Sequence, residues 1–419
     1  MRRQLKIFVD THFDLTMVKN HGTVYYQNRN GQVLLAIGEV SSVAQSGSEP
    51  VLINLHSYLE RIKDHVFGHF AYELKNEIED LDSNGIDRVN AGALFFFQPR
   101  YLIKYQNGIV EVSYLPDLDN ERSVKEMIED LFNTAKEKNK EEHQKVELEQ
   151  RTSRSKYIDN VKSLKGHIAK GDIYEVNYCV EFYAENVQMD PIEKFKELEN
   201  LTGAPHSCYY HFGDIHVLCA SPELFLNLDN GSVRSEPMKG TIKRGRTTTE
   251  DLDLKEQLKN DAKERSENVM IVDLVRNDLS KHAIKGTVRV DSLFEIKTFK
   301  TVHQMVSTIC AEVQEGTSVV DLIRDTFPMG SMTGAPKIRA MQLIEEHEAM
   351  QRGIYSGSIG HIDHKGNMEM NVVIRSIIFN SKTGYLSLMV GGAITSASDP
   401  EKEYQECSLK AEALIKALL

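Results

Sequence analysis

A strict alternation of residue types over residues 175–182 constrains the fold more than any other pattern in this chain. One set of positions carries large apolar side chains and the other mostly polar ones: Val176, Tyr178, Val180 and Phe182 alternate with Glu175, Asn177, Cys179 and Glu181. A period of two is that of a β-strand, in which successive side chains point to opposite faces. The segment therefore predicts a strand with two distinct faces.

Other periodic segments indicate how the rest of the chain is organised. Helical spacing predicts helices over residues 157–168, 255–280, 336–347 and about 400–419, with Gly171 and Asp172 ending the first. Alternation predicts strands over residues 215–221 and 223–228 and three more within 353–394. The N-terminal part shows strand-like runs at 23–26 and 33–37 and a helical pattern at 57–79. Strands in groups, with helices between the groups, favour an α+β fold.

One strongly charged segment, residues 136–151, divides the chain. Ten of its sixteen residues are charged and none is aromatic, which is typical of a linker or a solvated helix. It separates an N-terminal part, residues 1–135, from a C-terminal part, residues 152–419.

Composition excludes several classes of protein. With 50 Lys and Arg against 62 Asp and Glu, the net charge is −12, which argues against a general nucleic-acid binder because such proteins neutralise phosphates with a basic face. The five cysteines form no CxxC pair, which fits buried free thiols in a reducing cytoplasm. The most apolar run, residues 93–97, is too short to cross a bilayer. We therefore expect a cytoplasmic protein that binds no nucleic acid and no membrane.

Two pairs of glutamates share a helical spacing of three. Glu264 and Glu267 lie in one predicted helix and Glu403 and Glu406 in another, so each pair projects from nearly one helix face. Carboxylates from two helices could hold Mg²⁺, which takes one or two carboxylates together with water and substrate oxygens. The alternative is an ordinary solvated face, because acidic pairs at this spacing are common.

Three features could receive an anion. Residues 238–246 place four cations between glycines, and residues 334–337 open a helix whose free N–H groups can bind an anion. A plain surface loop is the alternative for each. Arg375 lies within an apolar strand pattern, where a charge needs a partner. That partner is either a buried carboxylate or a bound anionic substrate.

Nine strings of the C-terminal part closely resemble, in the same order, those of the chorismate-utilising enzymes. They are GDIYEVN (171–177), ASPELFL (220–226), EPMKGTIKRG (236–245), KERSENVMIVDLVRNDLS (263–280), VHQMVSTI (302–309), FPMGSMTGAPKIRAMQLIEEHE (327–348), RGIYSGSIGHID (352–363), NVVIRS (371–376) and GGAITSASDPEKEYQEC (391–407). The resemblance implies two antiparallel β-sheets packed face to face with helices outside, and an N-terminal part interwoven with this catalytic unit. It also implies a site between the sheets that binds chorismate and Mg²⁺.

The resemblance assigns a metal site and an acid. Glu267 and Glu406 match the family's metal-binding glutamates, and Glu264 and Glu403 match residues that lie near the metal. Glu223 matches the general acid that helps the C4 hydroxyl of chorismate to leave. Burial near other carboxylates would raise its pKa into that role.

The resemblance also assigns contacts to the substrate, which is a dianion. Arg375 and Tyr355 match residues that hold the enolpyruvyl carboxylate, and Lys410 matches a lysine near the ring carboxylate. Gly391 and Gly392 would supply backbone contacts. The remaining expected substrate contacts are Gly240, Thr241, Gln304 and Ser331.

Lys239 indicates the subgroup. Aminodeoxychorismate synthases carry lysine at this position, whereas anthranilate synthases and the hydroxylating members usually have alanine. This lysine is thought to add to C2 of chorismate before ammonia attacks C4 and the lysine leaves. A lysine nucleophile must be neutral, so we expect desolvation or neighbouring cations such as Lys243 and Arg244 to lower its pKa. The alternative is that Lys239 only binds a carboxylate.

We therefore expect the activity of an aminodeoxychorismate synthase large subunit, with ammonia from a separate glutamine amidotransferase subunit, since no glutaminase domain is visible. Two positions depart from the family pattern. Glu175 replaces the water-activating lysine of isochorismate and salicylate synthases and the usual glutamine of aminating members. Gln304 replaces a histidine that contacts the substrate, and alternation would point the adjacent His303 to the opposite face. The alternatives are an anthranilate synthase component I, then an isochorismate or salicylate synthase or a silent chorismate-binding regulator.

Overall fold

The computed structural model describes residues 1–45, 50–134 and 146–419. The charged segment predicted at residues 136–151 therefore lies mostly outside the described residues, and its described end holds one short strand at Glu149–Gln150. No helix in the described ranges is long and apolar enough to span a bilayer. All five cysteines are buried and free, as predicted.

The strands are short and follow one another in groups. In chain order they are β1 (Arg3–Phe8), β2 (Val24–Arg29), β3 (Gln32–Ala44), β4 (Val66–Phe70), β5 (Leu94–Gln106), β6 (Ile109–Tyr114), β7 (Glu149–Gln150), β8 (Glu175–Ala184), β9 (His206–Phe212), β10 (Ile215–Ser221), β11 (Leu224–Asp229), β12 (Ser232–Glu236), β13 (Met238–Lys243), β14 (Arg289–Thr298), β15 (Val302–Glu312), β16 (Gly334–Ala335), β17 (Ser358–Ile362), β18 (Met368–Asn371), β19 (Ser376–Asn380) and β20 (Tyr385–Ile394).

Helices separate these groups of strands, and local capping residues set several of their ends. Gly171 takes a φ of 82° and closes α4, as predicted. The Asp399 carboxylate accepts hydrogen bonds from the first N–H groups of α10. The helices are α1 (Val51–Ile62), α2 (Lys75–Ile78), α3 (Glu121–Thr134), α4 (Arg154–Lys170), α5 (Pro191–Thr202), α6 (Thr248–Asn260), α7 (Ala262–Ser280), α8 (Val319–Thr326), α9 (Lys337–His347) and α10 (Pro400–Leu418).

The long paired strands β3 and β5 join two antiparallel sheets. From β3, the first sheet continues through β2, β9, β10, β19, β20 and β8. From β5, the second continues through β4, β17, β18, β11, β12 and β15, with β13 and β14 also paired to β15. Because β2 pairs with β9 and β4 with β17, each sheet contains strands from both the N-terminal and the C-terminal part of the chain.

The two sheets enclose one core, and helices cover the outside. Tyr210 of β9 belongs to a buried cluster that also contains Phe225 and Ile309 of the second sheet. Its neighbour Tyr209 belongs to a separate cluster with Val161 of α4 and Ala411 of α10. Alternating side chains of one strand thus face the opposite sheet and the helix layer, as in a sandwich. The predicted α+β fold, with two antiparallel sheets face to face and helices outside, is confirmed.

Three predicted elements differ in detail. The helix predicted over 255–280 is two helices, because the Asp261 carboxylate accepts a hydrogen bond from the Glu264 N–H at 3.0 Å and starts α7 anew. Residues 353–394 hold four strands where three were predicted. The helical pattern at 57–79 contains strand β4, which is buried along its whole length.

Candidate active site

Lys239 projects from β13 at an irregularity in the second sheet. The register between β13 and β15 shifts between Lys239 and Thr241, where Gly240 takes a φ of 80°. A Cβ at Gly240 would lie 3.0 Å from Glu264 Oε2, so glycine lets this strand approach α7 closely. The Lys239 side chain is 9% exposed. The bulge thus presents a buried lysine beside a helix that carries carboxylates.

The closest partner of Lys239 comes from the other sheet. Its Nζ lies 2.5 Å from Oε1 of Glu175, the first residue of β8. Burial alone would lower the pKa of Lys239, but the charges of Glu175 and Glu267 outweigh it and raise that pKa above its usual value. The expectation that neighbouring cations lower the pKa of Lys239 is therefore wrong.

The two cations named in that expectation are engaged elsewhere or face solvent. Arg244 forms a bidentate ion pair with Asp251 at 2.7 Å, and Lys243 is exposed. In a regular strand, Lys243 would point to the same face as Lys239, because the two residues are four positions apart. The bulge at Gly240 adds one residue between them, so Lys243 points to the opposite face.

Glu223 lies just before β11 and is 3% exposed. Its Oε1 accepts a hydrogen bond from the Ser331 hydroxyl at 2.6 Å, so this predicted substrate contact touches the acid instead. Burial raises the pKa of Glu223 to about 7, against the opposing effects of Ser331 and of the charge of Lys239. A carboxyl group that keeps its proton near neutral pH suits a general acid.

Arg375 lies between β18 and β19 and is partly buried. Among the described residues, no carboxylate pairs with its guanidinium and no group accepts a hydrogen bond from it, although Glu223 and Tyr355 act on it electrostatically. Its backbone takes a φ of 52°, which is unusual for a residue other than glycine. The described residues thus offer Arg375 no paired carboxylate, and the bound anion stays a prediction. Tyr355 is buried, with its hydroxyl 4.0 Å from Cys179 Sγ.

Lys410 reaches from α10 to the paired glycines of β20. Its Nζ donates a hydrogen bond to the Gly391 carbonyl at 2.9 Å and pairs with Glu406 Oε1 at 2.8 Å. A Cβ at Gly391 would lie 2.5 Å from Cys179 Sγ, and one at Gly392 would lie 3.5 Å from Glu403 Oε2. Glycine at position 391 therefore lets β20 approach β8, whereas a Cβ at position 392 would make only an ordinary van der Waals contact.

The predicted metal glutamates lie on α7 and α10, on either side of a lysine that the sequence reading missed. Lys263 Nζ lies 3.3 Å from Glu403 Oε1 and 3.6 Å from Glu267 Oε1. Burial raises the pKa of Glu267 to about 7. The spacing of four residues between Lys263 and Glu267 could have predicted this contact, because residues at that spacing meet on a helix.

The donor set fits a hard cation by its chemistry. Glu267 and Glu403 are buried, whereas the Glu406 side chain is 46% exposed. Among the described residues, no donor forms a hydrogen bond to the buried Glu267 Oε1. Within the described residues, no three carboxylate, imidazole or thiol groups converge closely enough to surround an ion. The ammonium group of Lys263 supplies the positive charge between Glu267 and Glu403.

Gln304 and His303 point to opposite faces of β15, as alternation predicted. Gln304 Nε2 donates to Thr241 Oγ1 at 3.2 Å, and its Oε1 is buried without a donor among the described residues. The His303 ring instead contacts Thr298 and Asp251 at 3.0 Å each. His303 therefore cannot take the place of the missing histidine.

Comparison with known proteins gives the family. A family profile described as chorismate binding enzyme matches residues 16–416. The chain is 32% identical over 374 residues to anthranilate synthase component 1 of Aquifex aeolicus (strain VF5), covering 86% of this chain and 75% of that protein. It is 41% identical over 269 residues to the probable chloroplastic aminodeoxychorismate synthase of Oryza sativa subsp. japonica, covering 64% and 30%. It is 38% identical over 266 residues to aminodeoxychorismate synthase component 1 of Escherichia coli (strain K12), covering 64% and 58%.

The match therefore spans less than two thirds of the length of these two aminodeoxychorismate synthases. Among solved structures, the anthranilate synthase component I from Streptococcus pneumoniae TIGR4 superposes with a TM-score of 0.81 at 21% identity, covering 98% of this chain and 99% of that one. That likeness concerns the fold. The profile match over most of the chain and the Aquifex relative together settle the family: this chain belongs to the chorismate binding enzymes.

Proposed function

We propose that this chain is the large subunit of an aminodeoxychorismate synthase. It would convert chorismate and ammonia into 4-amino-4-deoxychorismate for 4-aminobenzoate and folate synthesis, with ammonia delivered by a separate glutamine amidotransferase subunit. The observation that carries the proposal is the buried Lys239, held at 2.5 Å from Glu175 within electrostatic reach of the acid Glu223. Relatives named aminodeoxychorismate synthase support it, at about 40% identity over 64% of this chain.

The groups around Lys239 would carry out the reaction once this lysine has lost its proton. Lys239 Nζ would add to C2 of the ring, and the C4–O bond would break as the two conjugated ring double bonds shift. Glu223 would give its proton to the departing hydroxide, which leaves as water. Ammonia would then attack C4, and Nζ would leave C2 with the bonding electrons.

Other residues would hold the dianion in place for this sequence. Arg375, whose guanidinium has no partner among the described residues, would bind the enolpyruvyl carboxylate beside Tyr355. Glu267 and Glu406, with Glu264 and Glu403 nearby, would hold Mg²⁺. When bound, Mg²⁺ supplies positive charge that draws electron density from the ring as the nucleophile adds.

A second candidate is anthranilate synthase component I, which aminates C2 and eliminates pyruvate. The observation that favours it is coverage: the Aquifex anthranilate synthase matches 86% of this chain, whereas the aminodeoxychorismate synthases match 64%. Lys239 argues for the first candidate, since a second nucleophile at C2 would be superfluous for direct amination there.

One assay separates the candidates. The purified chain is incubated with chorismate, Mg²⁺ and ammonium at high pH, and the products are identified by mass. We expect 4-amino-4-deoxychorismate, and its loss in Lys239→Ala but not in Lys243→Ala, because Lys243 is an exposed lysine of the same strand. Anthranilate formed without an added lyase would overturn the proposal. Amination that survives in Lys239→Ala would mean that this lysine only binds a carboxylate.

A further inference from the structure

Glu175 is the one carboxylate that contacts Lys239 directly in the described structure, and the mechanism proposed above gives it no task. The carboxylate is 1% exposed and lies 2.5 Å from Lys239 Nζ through Oε1. Its other oxygen, Oε2, is also buried, and no donor in the described ranges reaches it. Burying an ion pair costs desolvation free energy, which is offset only when the two charges interact closely.

The backbone holds Glu175 in a fixed position. Its strand β8 pairs with β16, where Glu175 stands opposite Ala335, and a Cβ at Gly334 would lie 2.2 Å from the Glu175 carbonyl oxygen. Lys239 is fixed independently by the pairing of β13 with β15 in the other sheet. The contact between the two side chains therefore bridges the two sheets at the site, and each side chain starts from a rigid strand.

Lys239 carries a proton that it must lose before it can act as a nucleophile. The charged groups that act on it come from several elements: Glu175 on β8, Glu223 before β11, Glu267 and Glu264 on α7, and Glu406 and Lys410 on α10. Of these, Glu175 alone is hydrogen-bonded to Nζ. Glu223 is reserved as the acid for the leaving group, so it cannot also take this proton.

We propose that Glu175 is the base that takes the proton of Lys239 when chorismate fills the site, and that it returns this proton when the product forms. This inference rests on the proposed function and deepens it. A bound substrate excludes water, and a water-poor site favours the neutral amine and carboxylic acid over the separated charges. In the open site, Glu175 thus keeps Lys239 charged. In the filled site, the same carboxylate accepts the proton of Lys239.

The step balances in atoms and charge. One N–H bond of the Lys239 ammonium breaks and an O–H bond forms on Glu175. The freed electron pair of Nζ forms the bond to C2, and the C4–O electrons leave with hydroxide, which takes the proton of Glu223. In the second half, the N–C4 bond to ammonia forms and the Nζ–C2 bond breaks. Nζ then recovers its proton from Glu175, which restores the ion pair, and the new C4 ammonium gives one proton to Glu223, which restores the acid.

The test compares Glu175→Gln with Glu181→Gln. Glutamine keeps an oxygen that accepts a hydrogen bond but cannot take a proton. Glu181 is a matched control because it is a buried glutamate on the same face of β8, ion-paired with Arg151 and remote from Lys239. Formation of the covalent chorismate adduct is followed by intact-protein mass after rapid quenching, over a range of pH, with Mg²⁺ present. Thermal unfolding of each variant checks that it is folded.

We expect Glu175→Gln to form the adduct about 100-fold more slowly than wild type at neutral pH. Its deficit relative to wild type at the same pH should shrink as rising pH lets hydroxide remove the proton of Lys239, because loss of the Glu223 proton slows both proteins alike. Glu175→Asp should restore part of the neutral rate. Glu181→Gln should form the adduct at the wild-type rate. If the adduct forms in Glu175→Gln as fast as in wild type at neutral pH, Glu175 is not the base, and the covalent mechanism is unaffected. A wild-type protein that forms no adduct while Lys239→Ala still aminates overturns both this inference and the covalent mechanism.

Discussion

Two arginines of the second half of the chain, Arg352 and Arg375, have opposite surroundings. Arg352 is 2% exposed and fully paired: it forms a bidentate ion pair with Glu348 at 2.7 and 2.9 Å, donates to two backbone carbonyls and stacks on Tyr72. Arg375 has no such partner in the described part of the chain, and its backbone lies in the left-handed region.

The difference separates a structural cation from a binding cation. A buried guanidinium costs free energy unless its donors are satisfied. Arg352 meets that requirement within the protein and ties α9 to β8, through Glu348 and the carbonyl of Asn177. Arg375 is only partly buried and has no ion-pair partner among the described residues, so its guanidinium is available to a ligand anion. The sequence pattern singled out Arg375 alone; Arg352 begins the shared string at residues 352–363, and its burial was not predicted.

The largest expected effect is on Arg352. Arg352→Met should lower the free energy of unfolding by about 3–5 kcal/mol, because it leaves Glu348 as a buried charge without its partner. Urea denaturation monitored by circular dichroism measures the change. The double variant Arg352→Met/Glu348→Gln should recover part of the loss. A loss below about 1 kcal/mol in the single variant would contradict the structural role of Arg352, because exposed ion pairs are worth that much.

Arg375→Met should affect binding and spare stability. We expect the affinity for chorismate to fall by about 2–3 kcal/mol, the worth of charge-assisted hydrogen bonds, and the free energy of unfolding to stay the same or rise. Calorimetric titration with chorismate and Mg²⁺, without ammonia, gives the Kd, and urea denaturation gives the stability. The comparison of the two arginines breaks if Arg375→Met unfolds as easily as Arg352→Met and binds chorismate as tightly as wild type.

Glu223 provides a smaller effect that depends on pH. Its pKa is raised from 4.5 to about 7, so the folded protein holds this proton up to near pH 7 and loses it above. As an acid it is active while protonated, so kcat/KM for chorismate should be level below pH 7 and fall about tenfold per pH unit above it. The measurement uses saturating Mg²⁺ and a fixed concentration of neutral ammonia. Glu223→Gln should be slow and lack this limb, and an unchanged limb in that variant would assign it to another group.

Much of the fold could be predicted from periodicity. Strand β8 was predicted within two residues because its alternation is strict, and α4 because Gly171 ends it. The break at Asp261 was missed, because a capping carboxylate in the middle of a helical pattern reads as one more polar position. Strand β4 was missed because it is buried on both faces and does not alternate.

The site could be predicted in composition and only partly in geometry. Motif matches named Lys239, Glu223 and Arg375, but no spacing shows that Glu175, 64 positions before Lys239, is its direct partner. That contact forms across two sheets, and it reverses the expected shift in the pKa of Lys239. The effect of Lys243 and Arg244 was wrongly predicted from closeness in sequence, since a bulge and a separate ion pair take both away from Lys239.

The smallest expected effect concerns Lys263, which has ion-pair partners, as Arg352 has, but lies partly in water. Its side chain is 37% exposed, and it pairs with Glu267 and Glu403 across α7 and α10. Because the pair is partly in water, Lys263→Met should lower the free energy of unfolding by less than about 1 kcal/mol without metal. Removing this competing cation should in turn strengthen Mg²⁺ binding, so added MgCl₂ should raise the Tm of the variant more than that of wild type. Lys259→Met, at the end of α6, is the control. An equal shift in all three proteins would mean that Lys263 does not compete for the carboxylates, and that its contact with Glu403 only joins two helices.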